Sequence, residues 1–315
     1  MNRQLRNTAA SVRTRLKGSL TGNRETFQFL LERYALERLL YRIGESPHRG
    51  RFILKGAMLF SLWQENPYRP TRDVDFLGFG EKDEIHLAEI FREICRMPVV
   101  DDGLIFSPES VEASRIREDL PYGGVRIRLV AYLENARLNI QADIGFGDVV
   151  TPEAQWVDFP TLLDHPAPRL RAYPQESVIS EKLHAMVVRG TTNTRMKDFC
   201  DMWTLARNFT FEGNALAQAI RATFDCRRTT IPGDVPAALT SRFLEEKDGG
   251  AWKAFFQKGN MSEPYRPFPE VGELLRSFIL PVAQSLANGE NFSLIWSPGG
   301  PWRKVESCQE PPRLG

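Results

Sequence analysis

Two aspartates one residue apart, Asp73 and Asp75, stand in and beside the apolar run Val74-Asp75-Phe76-Leu77. Side chains alternate across a strand, so a strand here puts both carboxylates on one face and Val74 and Phe76 on the other. Two carboxylates that close repel each other and are costly to bury unpaired. A hard divalent cation answers both problems. Mg²⁺, with Mn²⁺ as its substitute, takes oxygen ligands, and one or two carboxylates commonly share it with water and phosphate. The plainer alternative is an exposed strand end with the pair bridged to Arg69 or Arg72. Asp-x-Asp is a short, common string, and its neighbours have to decide.

Upstream, "FILKG" reads as a short buried strand ending at Lys55-Gly56, and a helix begins at Ala57. A glycine there lets backbone approach a phosphate, and helix N-termini favour anions. Downstream, Asp143 lies mid-strand in "LNIQADIGFG". Strand phase puts it with Asn139 and Gln141, opposite Leu138, Ile140, Ala142 and Ile144. A third carboxylate on an adjacent strand would complete a metal site, and an exposed strand face is the alternative. Further on, Lys182 and Arg189 are seven apart and share a helix face, followed by Arg195, Lys197, Asp198 and Asp201. Lys197 and Asp201 are spaced for an ordinary helix salt bridge, and Lys182 has Glu176 and Glu181 as candidate partners. The four histidines, His48, His86, His165 and His184, show no metal-ligand spacing.

These residues need elements to hold them. Phe27, Leu30, Leu31, Tyr34, Ala35, Leu39 and Tyr41 recur at helical steps until Gly44, where "GESPHRGR" breaks the helix. "DVDFLGF" is a strand after the Pro-rich loop "ENPYRPTR", and "EKDEIHLAEIFREICR" is an amphipathic helix. "GGVRIRLVAYL" and "ARLNIQADIGFG" alternate as strands, and the short link at Glu134-Asn135 makes them a hairpin. Asp164 to Pro174 reads as a linker. "ESVISEKLHAMVVR" and "RMKDFCDMWTLARN" are helices, and a Trp/Gly/Pro-rich tail closes the chain. The order predicts an α+β core with an appended C-terminal helical domain. The boundaries expected are a helical lead over 1–50, the core over 51–165, and helices with the tail over 166–315.

Composition excludes several classes. With 315 residues, 42% hydrophobic and 26% charged, the chain can build a sizeable core. Net charge is only +1, so affinity for nucleic acid has to come from local patches. One such patch is the acid-free start carrying Arg3, Arg6, Arg13, Arg15, Lys17 and Arg24, read as a solvated helix face, an RNA-binding arm or a transit peptide. Cys95, Cys200, Cys226 and Cys308 form no Cys-x-x-Cys pair, which fits a reducing compartment and a cytoplasmic location. No apolar run reaches membrane-spanning length. There is no P-loop, HExxH, GxSxG or dinucleotide fingerprint.

Taken together, "LKGAMLFSLW…YRPTRDVDFLGFG", "NIQADIGFGDVVTP" and "YPQESVISEKLHAMVVRGTTNTRMKDFCDMW" resemble the AbiEii/AbiGii toxin family, in the polymerase-β-like nucleotidyltransferase superfamily. The resemblance implies a nucleotidyltransferase core with a mixed sheet, and NMP transfer from a nucleoside triphosphate with release of pyrophosphate. It implies a toxin with a cognate antitoxin, and an RNA acceptor such as the tRNA 3′ end. Asp73, Asp75 and Asp143 would hold metal, with Asp143 ligating a second ion or acting as base. Lys55, Gly56, Ala57, Arg72, Lys182, Arg189 and Arg195 would face the nucleotide. The family's helix lysine falls on Lys182 and its later Arg/Lys-Asp on Lys197-Asp198, where Asp198 would orient Lys182 or bind base or ribose. Ala57-Met58 departs from the family's Gly-Gly or Gly-Ser form and lacks its hydroxyl. A protein or small-molecule acceptor, and an inactive binding member of the family, are the other readings.

Overall fold

The seven-stranded sheet is assembled from segments that the chain visits out of spatial order. The computed structural model describes residues 3–20, 26–64, 71–116, 123–259, 261 and 264–304. The Pro-rich stretch 65–70 with Arg69, the basic residue Arg24 and Cys308 lie outside them. The chain divides into two compact units. Unit one holds 1–148, 154–173 and 259–263, and unit two holds 149–153, 174–258 and 264–315.

In unit one, helices α1 (Arg3–Gly18) and α2 (Phe27–Glu45) precede β1 (Phe52–Lys55). The one-turn α3 (Phe60–Trp63) leads to β2 (Asp73–Gly78), α4 (Glu84–Arg96), β3 (Leu104–Ile116), β4 (Gly124–Leu133) and β5 (Ala136–Phe146). Two short strands, β6 (Gln155–Asp158) and β7 (Arg169–Ala172), complete the set. Spatial order is β3-β4-β5-β2-β1-β7-β6. The sheet is mixed: β2–β5 and β1–β7 run parallel, and the other neighbours run antiparallel.

Alternation explains the central strands. Val74 and Phe76, and Leu138, Ile140, Ala142 and Ile144, are all buried, while their odd-numbered neighbours on β5 face the polar side. Phe52, Phe76 and Phe91 knit strands to α4, with ring centroids 5.6 and 5.7 Å apart. Thr26 caps α2 through Phe29 N–H, and Asp83 caps α4 through His86 N–H.

Helix α2 ends at Glu45, within the expected breaking stretch, and Gly44 itself abuts β7. A Cβ there would stand 2.6 Å from the Arg169 carbonyl oxygen. The linker expected over 164–174 contains β7, which pairs with β1 through Ile53–Arg171 and Leu54–Ala172 and buries Leu170 and Ala172. Strand β3 carries no clean alternation in sequence, since its register with β4 shifts between Ser107 and Glu112. In the basic lead, Ala9, Val12 and Leu16 are buried, while Arg13 pairs with Glu134 and Arg15 with Asp164.

Unit two is mainly helical: α5 (Gln175–Arg189), α6 (Met196–Asn208), α7 (Gly213–Cys226), α8 (Ser241–Lys247), α9 (Lys253–Lys258) and α10 (Phe268–Ala287). Met196, Phe199, Cys200 and Trp203 are buried, as their helical spacing requires. The tail forms a small sheet, β10-β9-β8, from Phe211–Glu212 (β8), Ile295–Trp296 (β9) and Trp302–Arg303 (β10). Trp296 donates to the Ala206 carbonyl and Trp302 to that of Phe278, so both indoles are satisfied. Among the described residues no helix is long and apolar enough to cross a membrane.

Helix α2 also carries buried charge. Arg42 grips Asp102 with two prongs, at 2.6 and 3.1 Å, and Asp102 accepts from Leu104 N–H. One turn earlier, Glu37 lies against Arg38 at 2.8 Å and accepts from Leu162 N–H. Burial raises the Glu37 carboxyl from 4.5 to about 7, although Arg38 opposes the shift. The folded chain therefore binds a proton there that the unfolded chain releases. That contribution is full below pH 4.5 and is lost as pH rises through about 7. Chemical denaturation from about pH 5 to about pH 8 should show wild type losing up to about 3 kcal/mol through this group. Glu37→Gln should flatten that slope, and an unchanged slope would rule Glu37 out as its source.

Candidate functional site

Four strands place one charged residue each in a single lateral row. Lys55 on β1 pairs in register with Asp75 on β2, Asp75 with Asp143 on β5, and Asp143 with Arg126 on β4. Residues in register share a face of the pleat, so the row reads cation, acid, acid, cation across one side of the sheet. The next row on that face holds Asp73 opposite Gln141, with Arg128 beyond. Asp73, Asp75 and Asp143 thus meet on adjacent strands. All three are only partly buried, while the opposite faces of β2 and β5 sit in the core.

The geometry around each acid differs. Asp73 accepts a 2.7 Å bond from the Thr71 hydroxyl. Asp75 packs directly on Gly56, whose φ of +76° lies in the left-handed region that favours glycine. A Cβ at Gly56 would stand 2.8 Å from Asp75 Cβ and run into its carboxylate. Gly56 is therefore required both by its own backbone and by the acid beside it. Asp143 has both oxygens engaged by Arg126: Nε donates to Oδ1 at 2.8 Å and Nη2 to Oδ2 at 2.7 Å. That bond to Asp143 raises the Arg126 pKa, and the charges of Asp143, Asp73 and Asp75 add to it. The guanidinium lies in the field of all three acids.

Lys55 reaches Asp148 at 3.0 Å and sits 5.6 Å from the Tyr173 ring centre. Ala57 follows Gly56 in a single 3₁₀ turn, and Met58 is buried in the core. Apolar packing accounts for Met58 where a hydroxyl was expected. Arg72 is three-quarters exposed and pairs with Glu32 at 3.6 Å, so the alternative of an Arg72 bridge to the aspartates is not the arrangement found.

Asp73 and Asp75 offer hard oxygens on one face, a donor set that suits a divalent cation with two protein carboxylates. Among the described residues no three acidic, His or Cys groups gather at metal-binding separation. Asp143 is turned to Arg126 instead.

In unit two, Lys182 on α5 lies between two acids of α6, 2.8 Å from Asp198 and 2.6 Å from Asp201. Arg195 adds a 2.6 Å bond to Asp198. Burial raises the Asp198 pKa, but the charges and hydrogen bonds of Lys182 and Arg195 prevail and hold it well below the carboxylate range. Burial pushes Asp201 well above that range. Two buried acids share one ammonium. The Lys197–Asp201 bridge expected from spacing does not form: Asp201 turns inward to Lys182, and Lys197 is exposed. Lys182 thus has these two aspartates as ion-pair partners. Arg189 is outside this ion-pair cluster. His184 is buried between Arg227 and Thr229 and lies edge-on to Phe224.

Arg126 is the residue missed from sequence. Its signal was present, because it lies as far before the Glu134-Asn135 turn as Asp143 lies after it. Counting outward from the hairpin pairs the two.

A family profile described as "Nucleotidyl transferase AbiEii toxin, Type IV TA system" matches residues 38–277. The match spans the charged row of unit one and the Lys182 cluster of unit two. A search of curated proteins finds no match. Among solved structures, an H. pylori protein named as a nucleotidyltransferase is similar at 15% identity and a TM-score of 0.47. That alignment covers 84% of this chain and 97% of the other. JHP933 from Helicobacter pylori is similar at 14% identity and a TM-score of 0.46, over 84% of this chain and 94% of its own. On the profile match, which covers more than half of its length, the chain belongs to the AbiEii nucleotidyl transferase toxin family of type IV toxin–antitoxin systems.

Proposed function

We infer that this nucleotidyltransferase is Mg²⁺-dependent, with Mn²⁺ as a substitute, and moves NMP from a nucleoside triphosphate to an RNA acceptor such as the tRNA 3′ end. The observation that carries the reading is the meeting of Asp73, Asp75 and Asp143 on one sheet face beside Gly56, in a chain of this family. Asp73 and Asp75 are the residues that would hold the cation. Bound there, it would supply charge neutralisation on the triphosphate for in-line displacement. Gly56 would let backbone approach the phosphate, and Ala57 follows in the same turn. Lys55 contributes positive charge from the neighbouring strand.

Lys182 is assigned to neutralising phosphate charge, with Arg189 and Arg195, as the family resemblance implies. Asp198 is the group that keeps Lys182 charged and aimed. Such chemistry rests on positioning and electrostatics more than on covalent steps. Exposed cations such as Lys17 and Lys197 suit a polyanionic acceptor. Toxin action would then be withdrawal of that RNA from translation, held in check by a cognate antitoxin, in the cytoplasm.

The deciding experiment incubates purified protein with each labelled nucleoside triphosphate, Mg²⁺ and total cellular RNA. A labelled tRNA band is expected. Label on protein or on a small molecule would replace the RNA reading, and no transfer to any acceptor would leave the inactive-member reading.

Asp73→Asn and Asp75→Asn should each abolish transfer while the melting temperature holds or rises, since like-charge repulsion is relieved. Full activity in the double variant would remove the metal role from these acids. Lys182→Ala should lose both activity and stability. Two buried acids would be left without their ammonium, a loss of about 3–5 kcal/mol when one partner of a buried pair is removed. Denaturant titration reads the stability. A dead but fully stable variant would show that the acids do not depend on the lysine.

A further inference from the structure

Of the three carboxylates that the family resemblance assigns to metal, Asp143 has both oxygens engaged by a single protein side chain. Arg126 reaches Asp143 from the neighbouring strand of the hairpin and takes both oxygens, at 2.8 and 2.7 Å. A fork-on-fork pair of this kind is directional as well as strong. It takes the inward-facing lone pair of each oxygen, the side on which a chelating cation would sit. Gln141 adds only a long 3.5 Å contact to the same carboxylate. The register offers Arg126 no other direct cross-strand partner on β5, because it stands opposite Asp143 itself.

The electrostatics point the same way. Three acids on adjacent strands form an anionic patch that is unfavourable until something positive arrives. Arg126 already lies in the field of all three. Its side chain is about a third exposed and that of Asp143 about a sixth, so the pair is shielded from full water competition yet open on one side.

We propose that Arg126 is a positioning residue that stands in for the second cation. In the nucleotide-free protein it keeps Asp143 off the metal, so that the resting site is a single-cation site of Asp73 and Asp75. The proposal rests on the metal reading of that face. It differs from a strand-to-strand salt bridge in what it predicts: a bridge of that kind changes stability alone, whereas this pair sets how many protein ligands a cation finds.

The test measures Mn²⁺ binding to the full chain without nucleotide, by titration with electron paramagnetic resonance, and counts inner-sphere waters by proton relaxation. Asp143→Asn alone should change the dissociation constant by less than about threefold and leave the water count as it is. Arg126→Met should tighten binding by about tenfold or more, the scale of other outer-shell changes at metal sites, and displace at least one water. The double variant Arg126→Met/Asp143→Asn carries the wild-type net charge and should return both readings to wild type. Arg126→Lys keeps the charge but cannot make the fork, and should fall between. The idea is overturned if Asp143→Asn weakens wild-type binding about tenfold, or if Arg126→Met leaves the water count unchanged. Should Arg126→Met fail to fold, the Asp143→Asn and Arg126→Lys results decide alone. Asp73→Asn separates the two levels. If it keeps wild-type Mn²⁺ affinity, the metal reading itself fails. If it loses binding while Arg126→Met changes nothing, only the Arg126 proposal fails.

Discussion

Everything on the candidate catalytic face depends on strand register. Lys55, Asp75, Asp143 and Arg126 come from four separate strands and meet only because each pairing is in step. A slip of one residue would turn every side chain on that strand to the opposite face. The apolar side of the same strands prevents it. Val74 and Phe76 on β2, and Ile140, Ala142 and Ile144 on β5, are buried and hold the phase. Hydrophobic burial of about 1.5–3 kcal/mol for each large side chain thus fixes the position of charges that could not fix themselves. The acids cost stability where they stand, and the core behind them offsets that cost.

The two units handle charge differently. On the sheet face of unit one the acids remain partly exposed and open to a ligand. In unit two, Asp198 and Asp201 are nearly inaccessible, and Lys182 and Arg195 are drawn to them. Buried ion pairs seldom add net stability, but removing one partner is expensive. Lys182 is therefore a structural residue as well as a candidate functional one. Its environment explains why so polar a group is retained between two tightly packed helices.

Much of this was legible in the sequence, because period-two and period-3.6 patterns report burial directly. Alternation around Asp143 and spacing along Met196 to Trp203 both describe faces that the fold does bury. The hairpin at Glu134-Asn135 was equally plain. What could not be read was whatever depends on a partner distant in sequence. β7 is four residues long and looks like linker until β1 pairs with it. Asp201 looks surface-paired with Lys197 until α5 packs against α6. Gly44 marks the helix end as read, but the need for a glycine there shows only once Arg169 lies against it. Arg126 is the intermediate case, since its partner lies within one hairpin and simple counting would have found it.

The β4–β5 hairpin has a property with consequences for how the face tolerates error. Arg126 stands opposite Asp143 and Arg128 opposite Gln141, both on the same side of β4. A two-residue slippage in one direction would seat Arg128 against Asp143 and restore an arginine there. An odd slippage could not, but it would also expel Val125 and Ile127 from the core. A two-residue slippage in the other direction would put Gly124 against Asp143 and leave the acid without its arginine. One of the strand's two arginines is, in the first case only, a spare.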